Sequence, residues 1–207
     1  MHKTSSSPTS PSHQSDTDPT LRKQQMIMQM ADIVLAEGLN NLSLRALAAR
    51  MDTSDRMLLY YFKTKDLLVR TVLDEVNNRL TTILAAQSTG PRVTATQFLS
   101  RVMPMVSDPA IAPFMQIWTD VIAHGARGVK PYDDIARTVV RSWTTWINSR
   151  LVSNPEESPE NDAARATFLL ACVEGIMLLA QVNPEGLQPG KTDIAHIVGT
   201  LFGEPGQ

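Results

Sequence analysis

The strongest constraint on this 207-residue chain is a helical period. From about Leu21 to Leu201 apolar residues recur three and four positions apart, and no alternating apolar–polar run competes. Ile27, Met30, Ala31, Val34 and Leu35 form the stripe of a first helix, predicted over about 21–37 and stopped by Gly38. Ser43 reads as the N-cap of a short second helix striped by Leu44, Leu47, Ala48 and Met51. Asp52–Thr53 breaks it, Ser54 caps a third helix over about 55–61, and Thr64 caps a fourth that stays amphipathic to about Gln87. Gly90–Pro91 closes that helix. Further helices are expected near 93–106, 109–124, 132–152, 160–182 and 192–202. Asp108–Pro109 and Ser158–Pro159 each set a capping side chain before a proline at the first helical position, and Pro131 starts the helix that carries Trp143 and Trp146. Pro104 should kink or end its helix. The expected fold class is all-α, with about nine helices and no internal repeat.

Composition narrows the setting. The apolar share of 43% and charged share of 19% are ordinary for a soluble globular protein. With no run of about 18 apolar residues expected, a membrane span is not anticipated. Residues 1–19, rich in Ser, Thr and Pro without an apolar core, read as a disordered tail rather than a secretory signal. The single cysteine, Cys172, excludes an internal disulfide framework and suits a reducing cytoplasm. Net charge is −2, yet residues 20–85 carry nine Lys/Arg against seven Asp/Glu. A locally basic N-terminal module keeps nucleic-acid binding open despite the acidic whole.

Two short helices after a longer one, joined by a tight turn, make a helix-turn-helix arrangement over about 20–66. In such a module the second short helix lies in the DNA major groove. Leu58, Tyr61 and Phe62 fall at i, i+3 and i+4 and can face the module's core. Asp55, Arg56, Leu59 and Tyr60 then lie on the other side. Arg56 can reach a guanine edge or a phosphate; Tyr60 can offer its hydroxyl to a phosphate and its ring to a thymine methyl. Ser43, Arg45, Ser54, Lys63, Thr64 and Lys65 sit at helix ends, where hydroxyls, cations and free N–H groups suit phosphate oxygens.

The stretches "ADIVLAEGLNNLSLRALAARM" and "TSDRMLLYYFKTKDLL" resemble the DNA-binding domain of the TetR/AcrR family of bacterial transcriptional regulators. The likeness spans residues 24–84 and rests on Ser54, Leu58, Tyr61, Phe62, Thr64, Lys65 and Asp66. The chain departs from the family pattern at Asp52, where glycine is usual, at Leu59, where tyrosine is common, and at Arg56, where a small residue is common. The resemblance implies a regulator, most often a repressor, that leaves a palindromic operator when a small molecule binds. It implies that residues 67–207 bind this effector and form a homodimer, with no other cofactor.

On that expectation, pocket candidates are the aromatic residues Phe98, Phe114, Trp118, Trp143 and Trp146, with Met103, Met115, Ile122 and Cys172. A pocket of this make-up would take a small apolar or amphipathic ligand. Such stripes equally suit a plain core. Candidate dimer contacts are Phe168, Leu169, Ile176 and Leu179 on the penultimate helix, and Ile194, Ile197, Val198 and Leu201 on the last. A helical protein-interaction adaptor is the alternative function. An enzyme has less in its favour: the four histidines are scattered, and no metal-ligand pair, nucleophile–base spacing or glycine-rich phosphate loop is seen.

Overall fold

The computed structural model describes residues 18–87, 90–153, 159–183, 185 and 194–201. Among these are nine α-helices: α1 Pro19–Glu37, α2 Leu44–Arg50, α3 Asp55–Phe62, α4 Lys65–Gln87, α5 Ala95–Val106, α6 Ala112–Ala126, α7 Tyr132–Arg150, α8 Pro159–Val182 and α9 Ile194–Leu201. The all-α expectation holds. The proposed tail lies outside the described residues except at its end, where Asp18 and Pro19 belong to the fold. Asp18 caps α1 by accepting the Thr20 N–H at 2.9 Å, so the helix starts two residues before the apolar stripe suggested.

Local rules account for most boundaries. Gly38 stops α1 at a φ of 87°, its N–H on the Val34 carbonyl. Ser43 and Ser54 cap α2 and α3, accepting the N–H of Ala46 and of Met57 at 3.2 Å each. Thr64 accepts the Leu67 N–H at 3.1 Å at the start of α4. Thr94 and Gln97 form a reciprocal capping box on α5.

Three expectations need correction. Asp108 does not cap α6: its carboxylate accepts the Ala110 N–H at 2.8 Å and closes a turn, and the helix begins at Ala112. Pro104 does not end α5: it sits on the exposed side, and the helix runs on to Val106. Val93 and Leu151 lie outside their helices because they form a parallel bridge, with Val93 N–H on the Arg150 carbonyl and Val152 N–H on Val93, both at 2.9 Å. Residue 158 lies outside the described residues, so the cap expected there does too.

One contiguous core runs through the described residues. Helix α4 is its spine: Leu68, Val69, Val72, Leu73, Val76 and Leu80 are fully buried. Arg79 ties α4 to α1, donating to Asp32 and, at 3.1 Å, to the Met28 carbonyl. Arg70 ties it to α7 through Asp134 at 3.1 Å. Helices α6, α7 and α8 pack in sequence order, and α9 returns onto α5. At Gly125 a Cβ would lie 2.7 Å from the Ala136 Cβ, so glycine there sets the close approach of α6 and α7. Helix α8 is long and apolar enough to cross a membrane by length and composition, a test that the core helix of a soluble protein also passes. Its apolarity serves more than one face, because α8 packs on α7, α5 and α6 while further apolar side chains remain exposed.

Candidate functional site

Two features concentrate chemistry in this fold: the outward face of α3 and a cavity among α4 to α8. The turn before α3 requires left-handed backbone, and Asp52 adopts it at a φ of 49°. The turn after α3 is tighter. Lys63 has φ 63° and ψ −48°, and the Thr64 N–H bonds the Phe62 carbonyl at 2.7 Å, which defines a γ-turn. A non-glycine residue there stores backbone strain. Both ends of α3 are thus fixed by specific short-range geometry.

Between these turns the aromatics divide by role. Leu58 and Phe62 are fully buried and Tyr61 packs partly against them. Tyr60 is 65% exposed, its ring edge-on to Tyr61 at 5.2 Å. Asp55, Arg56 and Leu59 share the exposed side with it, as expected. Arg45 on α2 and Lys65 at the start of α4 are also exposed. The Lys63 amine folds back onto its own helix, donating to the Tyr60 carbonyl at 3.0 Å over the Tyr60 ring. The hydroxyls of Ser43, Ser54 and Thr64 serve as helix caps. Two apolar residues outside the expected set are also exposed, Met57 on α3 and Leu67 in the first turn of α4. Met57, three residues before Tyr60, was legible from helical spacing.

A cavity of about 230 Å³ lies between α4, α5, α6, α7 and α8. Of the expected pocket residues, Phe98, Met115, Trp143 and Trp146 line it. Met103, Phe114, Trp118, Ile122 and Cys172 do not. Trp118 is fully buried one layer behind, edge-on to Trp143 at 5.6 Å, and Met103 and Phe114 are core residues. Ile122 and Cys172 are half-buried against the core, and burial pushes the Cys172 thiol up. The missed walls come largely from α4 (Leu80, Thr81, Leu84, Ala85) and α8 (Leu170, Val173, Glu174). Ser142 adds a hydroxyl.

Glu174 is the unusual member. Its Oε1 is hidden from solvent with no hydrogen-bond partner in the protein, although the side chain as a whole is not fully buried. Burial pushes its carboxyl from 4.5 up to about 7. The signal was present in "FLLACVEGIMLLAQV", where it is the lone charge in an apolar run. Among the described residues, no group of three or more His, Cys, Asp or Glu is placed to hold a metal ion.

The expected dimer residues divide likewise. Leu169 and Val198 are buried within the protomer, so the structure removes them from any outer face. Phe168, Leu179, Ile197 and Leu201 are exposed, and Ile176 is half-buried. The Ile194 side chain lies outside the described residues. Leu178 and Val182 join the exposed set.

No family model matches the sequence, and no curated protein matches it. Solved structures do. A TetR-family transcriptional regulator from Cytophaga hutchinsonii superposes with a TM-score of 0.70 at 14% identity, covering 92% of this chain and 98% of that one. A transcriptional regulator from Rhodococcus sp. Rha1 gives 0.68 at 22%, covering 90% and 97%. The multidrug binding protein EbrR, complexed with proflavin, gives 0.63 at 21%, covering 87% and 98%. The chain therefore has the fold of TetR-family transcriptional regulators over nearly its whole length.

Proposed function

We propose that this chain is a member of the TetR family acting as a sequence-specific DNA-binding transcriptional regulator. The observation that carries this is the outer face of α3, which presents Arg56 and Tyr60 between two fixed turns, flanked by exposed Arg45 and Lys65. Residues 20–66 form the DNA-binding module and residues 67–207 the effector-binding and dimerisation domain. A homodimer reads a palindromic operator with half-sites about 34–36 Å apart or a multiple of that. The chain works in the cytoplasm as a repressor rather than an enzyme, and needs no cofactor beyond its effector.

The cavity supports a small-molecule effector, as does the likeness to EbrR, which is seen with proflavin and with imidazole. Four of its walls belong to α4, the helix that also packs on α1 and α3. A ligand that binds better when α4 is displaced would alter the spacing of the two α3 helices, and that difference in affinity sets the size of the response.

Footprinting on the DNA upstream of its own gene tests the reading, with gel shifts across a salt series. A protected palindrome whose affinity falls steeply with salt is expected. Arg45→Ala and Lys65→Ala should weaken all sequences alike, whereas Arg56→Ala and Tyr60→Ala should relax base preference. No loss from any of the four would overturn the assignment. The exposed Met57, Leu59 and Leu67 favour a second reading, a protein-binding adaptor, which predicts no shift at any salt.

A further inference from the structure

We infer that the cavity selects an organic cation, a flat aromatic ring system bearing one positive charge, with Glu174 as its counter-ion. This rests on the cavity being the effector site. Three features carry it. First, Glu174 is the sole ionisable side chain among the lining residues; α4, α5, α6 and α7 contribute aliphatic, aromatic, thioether and hydroxyl groups. Second, its Oε1 is shielded from solvent and accepts no hydrogen bond from the protein. An unpaired buried acceptor of this kind costs stability that a bound partner recovers. Third, the rest of the wall is built for a ring with positive charge. Phe98 and Trp146 lie edge to face at 5.9 Å, Trp143 lines the cavity with them, and aromatic rings of this kind attract cations at their faces.

A neutral ligand without a hydrogen-bond donor would leave the buried Oε1 acceptor unpaired. An anion would face an acidic group with no cationic residue on the wall to offset it. A cation satisfies both the carboxylate and the rings, and keeps its apolar edges against Leu80, Leu84, Val102 and Ile147.

The probes are N-methylquinolinium, a permanent cation, and 1-methylnaphthalene, its neutral isostere. Calorimetric and tryptophan-fluorescence titrations on the full chain compare wild type with Glu174→Gln, which keeps size and hydrogen-bonding capacity but removes the charge. Wild type should prefer the cation by at least about tenfold. Glu174→Gln should lose that preference while binding the neutral probe within about twofold of wild type, which also reports an intact cavity. Because a proton competes for the same carboxylate, affinity for the cation should rise with pH and level off above about 7, in wild type only. Equal binding of both probes by wild type, or an unchanged preference in Glu174→Gln, overturns the charge assignment and leaves the cavity as a binding site. Failure of wild type to bind either probe overturns the cavity reading itself, and the inference with it.

Discussion

At the residue scale, Glu174 makes a statement about stability as well as recognition. Its carboxyl titrates near 7 in the folded chain against an ordinary 4.5, so the folded state holds a proton that the unfolded state releases. The stability this proton represents is fully present below about 4.5 and is lost as pH rises through about 7. At 1.36 kcal/mol for each pH unit, the full span bounds the effect at roughly 3 kcal/mol, less because the side chain keeps some solvent contact. Urea unfolding of wild type and Glu174→Gln between pH 4 and pH 8 should show the variant gaining relative stability as pH rises. Parallel curves would mean that the carboxyl is not desolvated. Caps act independently of pH. Ser54→Ala removes the oxygen that holds the Met57 N–H and should cost about 1 kcal/mol, with a larger loss in DNA affinity than in folding because it loosens the start of α3. Glu174 was readable only as an anomaly. A lone acid in an apolar run can face a cavity, a partner or water, and the sequence does not say which helices surround it.

At the element scale, the two turns that hold α3 make contrasting demands. Replacing an exposed residue by glycine ordinarily destabilises through chain entropy, yet at Lys63 the native φ of 63° penalises any side chain. Lys63→Gly should therefore be more stable than Lys63→Ala by about 1 kcal/mol, a reversal that thermal melts of the two variants resolve. If alanine is the more stable, the γ-turn is not strained. The same contrast separates strain from charge, since both variants lack the amine that caps the Tyr60 carbonyl. Helices α2 and α3 were legible because their signals are local: a serine at each N-cap and apolar residues at helical spacing. The cavity was much less so. Trp118 and Trp143 look alike in sequence, but Trp143 reaches the cavity while Trp118 sits behind it against its ring. That difference depends on how α6 and α7 rotate about their axes where they pack closely at Gly125 and Ala136. The α4 walls were missed for a related reason, since a stripe read as one buried face in fact serves two neighbours.

At the scale of the whole molecule, α8 and α9 each present apolar side chains that the described residues do not cover. Val182 is 80% exposed, Leu201 66% and Ile197 57%, and Phe168, Leu178 and Leu179 are exposed too. Phe168, Cys172, Gly175, Leu179 and Val182 follow one another at helical spacing, and a Cβ on Gly175 would meet nothing within 4 Å, so that side of α8 is open enough for a second helix to approach. A two-fold pairing of α8 and α9 with their copies would bury these side chains on both protomers at once, as a self-complementary interface requires. Leu179→Glu with Ile197→Glu places charges among them while leaving the core side chains Leu169 and Val198 in place. The double variant should remain folded by circular dichroism yet run as a monomer in light scattering, where wild type should run as a dimer. Operator affinity should then fall by several orders of magnitude, because each α3 helix would meet its half-site alone and lose the effective concentration that linkage provides. Affinity for N-methylquinolinium should change little, because the cavity is lined by helices of a single protomer. A double variant that stays dimeric would place the interface elsewhere. One that loses both the dimer and the cation would show that pairing of α8 shapes the cavity wall on which Glu174 sits.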